Sequence, residues 1–454
     1  MKTIVTAQEM REAEQSVWDV DPHVDLMARA AAAVAEAVAE FDGEALVVVG
    51  PGNNGGDGLF AAAALAQSRP VKLWLAAGGA HEAGLQAARG AGCEEVDAVG
   101  AMPALSRAGV VIDAFTGLGS RPGLPDDVLL LADACRDHCV PVVSVDHPSG
   151  LATDSPVAHP SFHATITVTF AALKPCHVME PAASACGDVR VVDIGVPVSE
   201  GALRVAEEHD VVSWYPFPGP TDHKYTRGVV LIETGSEQYP GAAVLNCSGA
   251  LHVGTGMVRY SGAAPHELIL GRFPSVVIGD GRAQAVVVGS GWDGSEILRD
   301  FDVPVVADAG ALEKLPERWL EGWLLTPHPG ELAKLLGVER REIEEDPVAH
   351  VRSASTRTGA TVLLKGATQY VAEPSGRVTI PVSGPAWTAQ AGSGDVLAGM
   401  CGALLAAGLE PWRAATVAAS FQAMTAARFP GPFTPDEIAE RLPQTIGECL
   451  PSGD

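Results

Sequence analysis

Short apolar runs alternate with Ala-rich stretches of helical spacing along most of the chain. Residues 6–41 carry the helical period and are broken near Asp21-Pro22. The run Ala45–Val49 then ends in GPGNNGGDG (Gly50–Gly58), and Leu59–Gln67 returns to helical spacing. Val71–Ala76, Val110–Ala114 and Val140–Val145 repeat the apolar theme, with a further helical stretch at His81–Ala91. Continuous apolar runs of this length suit strands buried on both faces, and their alternation with helices predicts right-handed βαβ units around a parallel sheet. The rhythm lapses between Pro197 and His223, where WYPFPGP (Trp214–Pro220) can continue neither a helix nor a central strand. A second series runs from Gly228–Ile232 to a pair of helices near Ser393–Ala407 and Pro411–Arg428, and Pro411 suits a first helical position. The expected fold class is α/β in two domains, residues 1–215 and 223–454, the first a Rossmann-like parallel-sheet sandwich. The halves share no motif, so no internal repeat is inferred.

A length of 454 residues agrees with two cores rather than one. Charge adds an exclusion. The formal net charge of −26 repels nucleic acid and anionic membrane, so neither is expected as a partner. Any phosphate must be held locally, by backbone N–H groups, helix N-termini, a few basic side chains or a cation. The eight Cys residues form no CxxC pair and read as reduced thiols. Residues 1–15 lack an apolar signal core, and the apolar run Ala28–Ala39 is too short to span a bilayer. A cytoplasmic location and a homo-oligomer are expected.

Gly50, Gly52 and Gly55 satisfy G-x-G-x-x-G between a strand and a helix, where backbone N–H groups accept phosphate. A dinucleotide-binding unit should also end its second strand in Asp or Glu, and VKLWLAAGG has neither, which disfavours a hydride-transfer dehydrogenase. The loop instead carries Asn53, Asn54 and Asp57, whose oxygens suit a hard cation. Two later runs end alike, at Asp113 before a Gly-rich loop and at Asp146 before Ser149. Three adjacent strand ends could thus form a monovalent-cation site beside an acid/base carboxylate. Separately, a lone Asp at any of these ends could simply cap a helix.

PGNNGGDG, DAFTGLGSRPG, DHPSGL and TVTFAALKP (Thr167–Pro175) together resemble the NAD(P)H-hydrate epimerase domain over about residues 1–215. The resemblance implies that Asn54, Asp113 and Ser149 coordinate potassium. It implies that Asn53, Asn54, Gly55, Gly56 and Asp57 contact the hydrated nicotinamide nucleotide. Gly117, Leu118, Gly119, Ser120, Arg121, Pro122 and Gly123 join that contact, as does Asp146. The implied reaction interconverts R and S hydrates at nicotinamide C6, with Asp146 as acid/base because remaking that centre moves a proton. His147 stands where the family usually has an apolar residue.

In the second half, AGSGDVLAG (Ala391–Gly399) lets Gly392 and Gly394 turn backbone N–H groups toward one point at a helix start. Asp395 in the first turn can accept a proton from a hydroxyl attacking a terminal phosphate, which is phosphoryl transfer by positioning and electrostatics. No G-x-x-x-x-G-K-[ST] occurs, so the P-loop class is excluded. Further strand ends offer Asp308, His328 and Lys365-Gly366.

TPHPGE (Thr326–Glu331), LLKGA and GSGDVLAG resemble the ADP/ATP-dependent NAD(P)H-hydrate dehydratases, a ribokinase-like family, over about 223–450. The resemblance implies that Ala242, Gly289, His328 and Asp395 line the hydrate site. Lys365, Gly366, Ala367, Thr368 and Gln369, with Gly392, Ser393 and Gly394, would contact ADP or ATP, and magnesium would bridge its phosphates. Asp395 would activate the C6 hydroxyl, and elimination of the phosphate ester would regenerate NAD(P)H. ADP is the expected nucleotide. Two departures touch the hydrate pocket: VVVGSGWDG (Val286–Gly294) lacks the family's Pro, and the usual Asp-Ala-Asp is Asp308-Ala309-Gly310. The competing reading is a ribokinase-type small-molecule kinase with a fused regulatory domain; a third is a scaffold that has lost catalysis in one domain.

Overall fold

Local signals place the first helices as the sequence predicts. Thr6 and Glu9 form a capping box, the Thr6 N–H donating to Glu9 Oε2 at 2.7 Å, and helix Ala7–Val20 follows. Asp25 starts the next, Leu26–Val38, after the break at Pro22. The computed structural model describes residues 1–119 and 121–450. By contacts the chain divides into Lys2–Gly201 and Ala202–Asp454.

The N-terminal unit is built on a seven-stranded sheet. Its order is Glu94–Val96, Val71–Leu75, Glu44–Val49, Ala108–Ala114, Val142–Val145, Ile166–Phe170 and Asp188–Val192. All neighbours are parallel. Alternate residues feed two cores: Val47, Val49 and Ile112 pack on one face, Leu46, Val48 and Val111 on the other. The chain builds outward in one direction from Glu44–Val49, then in the other from Ala108–Ala114. The crevice between these two strands' C-terminal ends is therefore the topological switch point, where open α/β sheets bind ligands. At that point the backbones meet directly: a Cβ on Gly50 would collide with the Phe115 carbonyl.

In the C-terminal unit the strands run in the order Leu203–Val205, Val378–Ile380, Tyr370–Ala372, Thr361–Leu364, Leu324–Leu325, Val305–Ala307, Ala285–Val288, Val229–Glu233, Met257–Tyr260 and Val277–Ile278. Only the hairpin pairings of Tyr370–Ala372 are antiparallel. Helix Ser393–Ala406 is almost wholly buried and lies against Pro240–His252. Their axes approach so closely that a Cβ on Gly249 would strike the Val396 carbonyl and one on Gly399 the Asn246 carbonyl. Pro411 opens helix Pro411–Arg428. A last helix, Pro435–Glu448, starts at a Thr434–Glu437 capping box that the sequence reading passed over.

The division at 201/202 falls within the stretch where the hydrophobic rhythm lapses, and it moves residues 202–215 into the second unit. The reason is packing: Val211 is fully buried in the C-terminal core, with Trp214 and Tyr215 packed against it. Among the described residues no helix is long and apolar enough to cross a membrane.

Candidate functional sites

A cavity of about 580 Å³ opens at the N-terminal switch point. Asn53, Asn54 and Asp57 line it from the first turns of helix Asn53–Leu65, with Gly117–Gly119 opposite and Asp146 at its floor. Asp146 has φ +65, a left-handed conformation that an Asp tolerates at a cost. Its Oδ1 accepts Lys174 Nζ at 2.7 Å and Thr169 Oγ1 at 3.0 Å, while its buried Oδ2 has no partner. Burial opposes the charge on Asp146, but the Lys174 ammonium, with help from the adjacent His147 and His177, holds its pKa down at about 2. His177 is buried and neutral, with its pKa lowered by burial and by Lys174 to about 3. It accepts the Lys174 N–H at Nδ1 and donates from Nε2 to the Asp146 carbonyl at 2.8 Å. The centre is a buried ion pair with one carboxylate oxygen free.

Behind it lie the three residues expected to bind potassium. Asn54 Nδ2 donates to the Thr116 and Val145 carbonyls at 2.8 and 2.9 Å, and among the described residues no hydrogen bond reaches its Oδ1. Asp113 is fully buried and accepts the Ser149 N–H and Ser144 Oγ, both at 2.8 Å. Burial pushes its pKa up. Ser149 Oγ accepts the Thr116 N–H at 2.8 Å, and Thr116 Oγ1 is a buried polar atom with no partner. Thr116 thus joins Asn54 to Ser149, and Ser149 joins Asp113, in one cluster.

Other expected contacts are placed differently. Gly55 and Gly56 are buried inside their helix, and Gly56 packs toward Met27 and His81. Arg121 and Pro122 are exposed and lie off the cavity wall, as does Gly123, while Ser120 lies outside the described residues. His147, the departure from the family pattern, is accommodated by a 3.1 Å contact between Nε2 and Thr153 Oγ1.

Asp57 sits in the cavity wall and, among the described residues, has no hydrogen-bond or ion-pair partner. Burial, then the charges of Asp146, Glu14 and Asp25, raise its pKa to about 8. The native state therefore keeps a proton that the unfolded chain releases above its ordinary value of 3.8. Stability of this unit must fall as pH rises between those two values. Asp57→Asn should abolish the dependence. By calorimetry the variant should melt above wild type at pH 8 and level with it near pH 4. At about 1.4 kcal/mol per pKa unit, the gap at pH 8 amounts to several kcal/mol.

The second site centres on the N-terminus of helix Ser393–Ala406. Its N-cap, Gly392, has φ +96 and no capping side chain; the Ser393 N–H turns back to the Gln390 carbonyl at 3.2 Å, and among the described residues the Gly394 and Asp395 N–H groups are left open to an anion. Gln422 Nε2 braces the turn through the Ser393 carbonyl at 2.9 Å. Asp395 projects from the first turn, and burial together with Asp308 raises its pKa to about 6, against Lys365. The Lys365 ammonium lies over this turn, 3.3 Å from where a Cβ on Gly394 would stand. It is also held at 2.7 Å by Asp308 Oδ1.

Asp308 is the hub here. Thr326 Oγ1 donates to its Oδ1 at 2.8 Å and Ser290 Oγ to its Oδ2 at 2.9 Å. Ser290 lies in the segment Val286–Gly294 that lacks the expected Pro, and its hydroxyl secures the carboxylate. Gly310, the second departure, gives room to Trp292: a Cβ there would lie 3.0 Å from the Trp292 Cβ. The Trp292 indole N–H donates to the Glu233 carbonyl at 3.0 Å. The two departures are thus physically coupled.

Gly289 is buried, with φ +101, and Ala242 is half-buried beside Gly291. Gly366 and Ala367 are exposed, Thr368 is buried, and Gln369 Oε1 is a buried acceptor without a partner. His328 caps helix Pro329–Leu336, with Nδ1 accepting from Gly330 and Glu331 N–H at 3.0 and 3.2 Å. Its imidazole is about three-fifths exposed.

Sequence reasoning missed Lys174 and Thr169. Both lay in TVTFAALKP, and the signal was a Lys directly after an apolar strand, where burial demands a counter-charge.

Residues 229–447 match the family described as NAD(P)H-hydrate dehydratase, and residues 23–176 match the YjeF-related protein N-terminus. A bifunctional NAD(P)H-hydrate repair enzyme from Mycobacterium tuberculosis is 40% identical over 81% of this chain and 80% of its own. The counterpart from Mycobacterium leprae is 37% identical over 99% of both chains. Among solved structures, the ADP/ATP-dependent NAD(P)H-hydrate dehydratase of Bacillus subtilis co-crystallised with ATP and Mg²⁺ is similar with a TM-score of 0.50 and 25% identity. It covers 54% of this chain and 97% of that one.

Proposed function

The chain belongs to the bifunctional NAD(P)H-hydrate repair enzymes, and on that premise we propose how its two sites divide the work. The N-terminal cavity interconverts the R and S hydrates at C6 of the nicotinamide ring. The C-terminal site uses an adenine nucleotide to dehydrate the S hydrate to NADH or NADPH. The observation that carries the second step is Asp395 in the first turn of an uncapped helix beside Lys365, an acceptor for a proton next to a seat for phosphate. With a pKa near 6 it is ionised at neutral pH and can take the proton of the C6 hydroxyl. The hydroxyl oxygen then attacks the terminal phosphoryl group, and loss of phosphate with the C5 proton restores the ring double bond. Lys365–Gln369 and Gly392–Gly394 are the nucleotide contacts in this reading, with magnesium on the phosphates and ADP the preferred donor. Ala242, Gly289 and His328 flank the hydrate.

In the first site, Asn54, Asp113 and Ser149 would hold potassium. The free Asn54 Oδ1, the unpartnered Thr116 Oγ1 and the buried Asp113 carboxylate fit a large monovalent cation. When bound, such an ion supplies positive charge beside an anionic substrate on an acidic protein. Asn53, Asp57 and Gly117–Gly119 contact the substrate, and the free Oδ2 of Asp146 accepts its proton. A cytoplasmic homo-oligomer completes the reading.

Incubation with mixed R and S hydrates of NADH, ADP or ATP, and magnesium tests it through absorbance of the reduced nicotinamide. Complete recovery is expected. Recovery of the S form alone would remove the epimerase step, and nucleotide consumption on some other alcohol without recovery would favour the kinase reading. Exchange of potassium for lithium should slow conversion of the R hydrate about tenfold or more, since a small ion cannot reach all three ligands; an unchanged rate would remove potassium from the account.

A further inference from the structure

Helix Ala7–Val20 precedes the residues that match the N-terminal family, and the sequence analysis gave it no part in the site. Yet Arg11, Glu14, Gln15 and Trp18, which share one helical face, all line the N-terminal cavity. Three of them are pinned, Gln15 by its Nε2 to Asp19 Oδ1 at 2.8 Å. Arg11 Nη2 donates to the Leu118 carbonyl at 2.7 Å and the Trp18 indole N–H to the Val24 carbonyl at 3.3 Å. Among the described residues Glu14 has no hydrogen bond and no ion pair, although it is half-buried. An unpaired carboxyl in a cavity wall, across from a buried carboxylate with a free oxygen, is a costly arrangement for structure alone.

We propose that Glu14 is the second acid–base group of the epimerase centre, protonating the departing C6 oxygen while Asp146 takes a proton from the returning water. The proposal rests on the hydrate-epimerase reading of this cavity. In the forward step the C6–O bond breaks with its electrons going to oxygen, and the Glu14 proton makes the leaving group water. The N1 lone pair forms the C6=N1 double bond of an iminium cation, beside the negative charge of Asp146. Water then adds to the opposite face of C6 and yields its proton to Asp146. Nothing is oxidised or reduced, and the one proton displaced from Glu14 to Asp146 returns through solvent or by reverse turnover.

Asp57 lines the same cavity but is the poorer donor. The groups that shift it are the carboxylates of Asp146, Glu14 and Asp25, with no cation among them, so ionising it would leave an uncompensated anion. Burial and Asp146 raise the Glu14 pKa, while Lys174 and Arg11 work the other way and would stabilise the carboxylate left after donation. Glu14 is therefore protonated more readily than a free Glu, and can still release the proton.

The test uses the full-length protein and the R hydrate of NADH without nucleotide, following formation of the S hydrate by chromatography. Glu14→Gln should lower kcat about a hundredfold or more with KM nearly unchanged, and Glu14→Asp should restore part of the rate. The wild-type rate should fall on the alkaline side as the donor loses its proton, and Glu14→Gln should lose that limb. Because Glu14 has no partner to lose and burial opposes its charge, its variant should melt no lower than wild type. A Glu14→Gln rate close to wild type, or a rise in KM alone, overturns the proposal. So does a rate lost in Asp57→Asn and kept in Glu14→Gln. Wild type no faster than buffer sinks the hydrate reading, and this role of Glu14 with it.

Discussion

Asp395→Asn should lower nucleotide-dependent recovery of NADH from its S hydrate by about a thousandfold, within the 10²–10⁴ range of a lost general base. The amide has nearly the shape of the carboxyl, so the anion seat made by Gly392–Gly394 and Lys365 survives. Nucleotide should still bind, with a dissociation constant close to wild type, while turnover stops. Stability should not suffer, because the native site already disfavours the charge through burial and the nearby Asp308. The wild-type pH profile supplies a second check. The base must be ionised, so the rate should rise through about pH 6 and then level off. A variant that retains full recovery would show that another group removes the proton.

The second large effect concerns the buried pair of the first site. Lys174→Met takes away the ammonium that keeps Asp146 ionised in a place where both side chains are almost wholly inaccessible. Breaking a buried pair from one side costs about 3–5 kcal/mol, because the remaining charge is left without compensation. Burial would then favour the protonated form of Asp146, and R-to-S conversion should collapse. Asp146→Asn should give the same chemical phenotype: with ADP and magnesium the S hydrate is recovered and the R hydrate is stranded. Since the two residues act as one unit, the double variant should lose little more activity than either single variant. The pair also makes an acid signature. With a native pKa near 2 and an ordinary value of 3.8, Asp146 contributes its stabilisation fully above the ordinary value and loses it as pH falls toward 2. Recovery of both hydrates by Asp146→Asn would mean that epimerisation in the assay was spontaneous.

Much of this architecture was legible in the chain because buried parallel strands leave continuous apolar runs. Ala45–Val49 and Val110–Ala114 sit within one or two residues of the strands they became. Asp21-Pro22 parted the first two helices as expected, because Pro cannot extend the helix before it. The edge strand Glu94–Val96 was invisible: its residues are largely exposed and carry no apolar run. Residues 202–215 were read with the first domain, while Val211 and Trp214 pack in the second core, because Pro-rich composition marks a break in rhythm and says nothing about which core claims them. In the sites, Asp146 and Asp395 stood out as single acids at strand or helix ends. Lys174 and Glu14 did not, since their importance comes from being brought to Asp146 across 28 and 132 residues of chain, which only the topology does. His328 was read as a site residue from its strand-end position, and that same position makes it a helix cap.

The contact between helices Pro240–His252 and Ser393–Ala406 has a consequence for tolerance. Side-chain packing behaves like a gasket, with slack that varies as rotamers exchange. Here, at Gly249 and Gly399, main chain seats on main chain, as metal on metal in a machined joint. The spacing between Ala242, at the head of one helix, and Asp395, at the head of the other, is therefore set by main-chain van der Waals contact, with no side chain between to adjust. Warming the protein loosens its surface long before it changes that gauge. A larger residue at Gly249 or Gly399 should therefore force these two helix heads apart and widen the pocket between them.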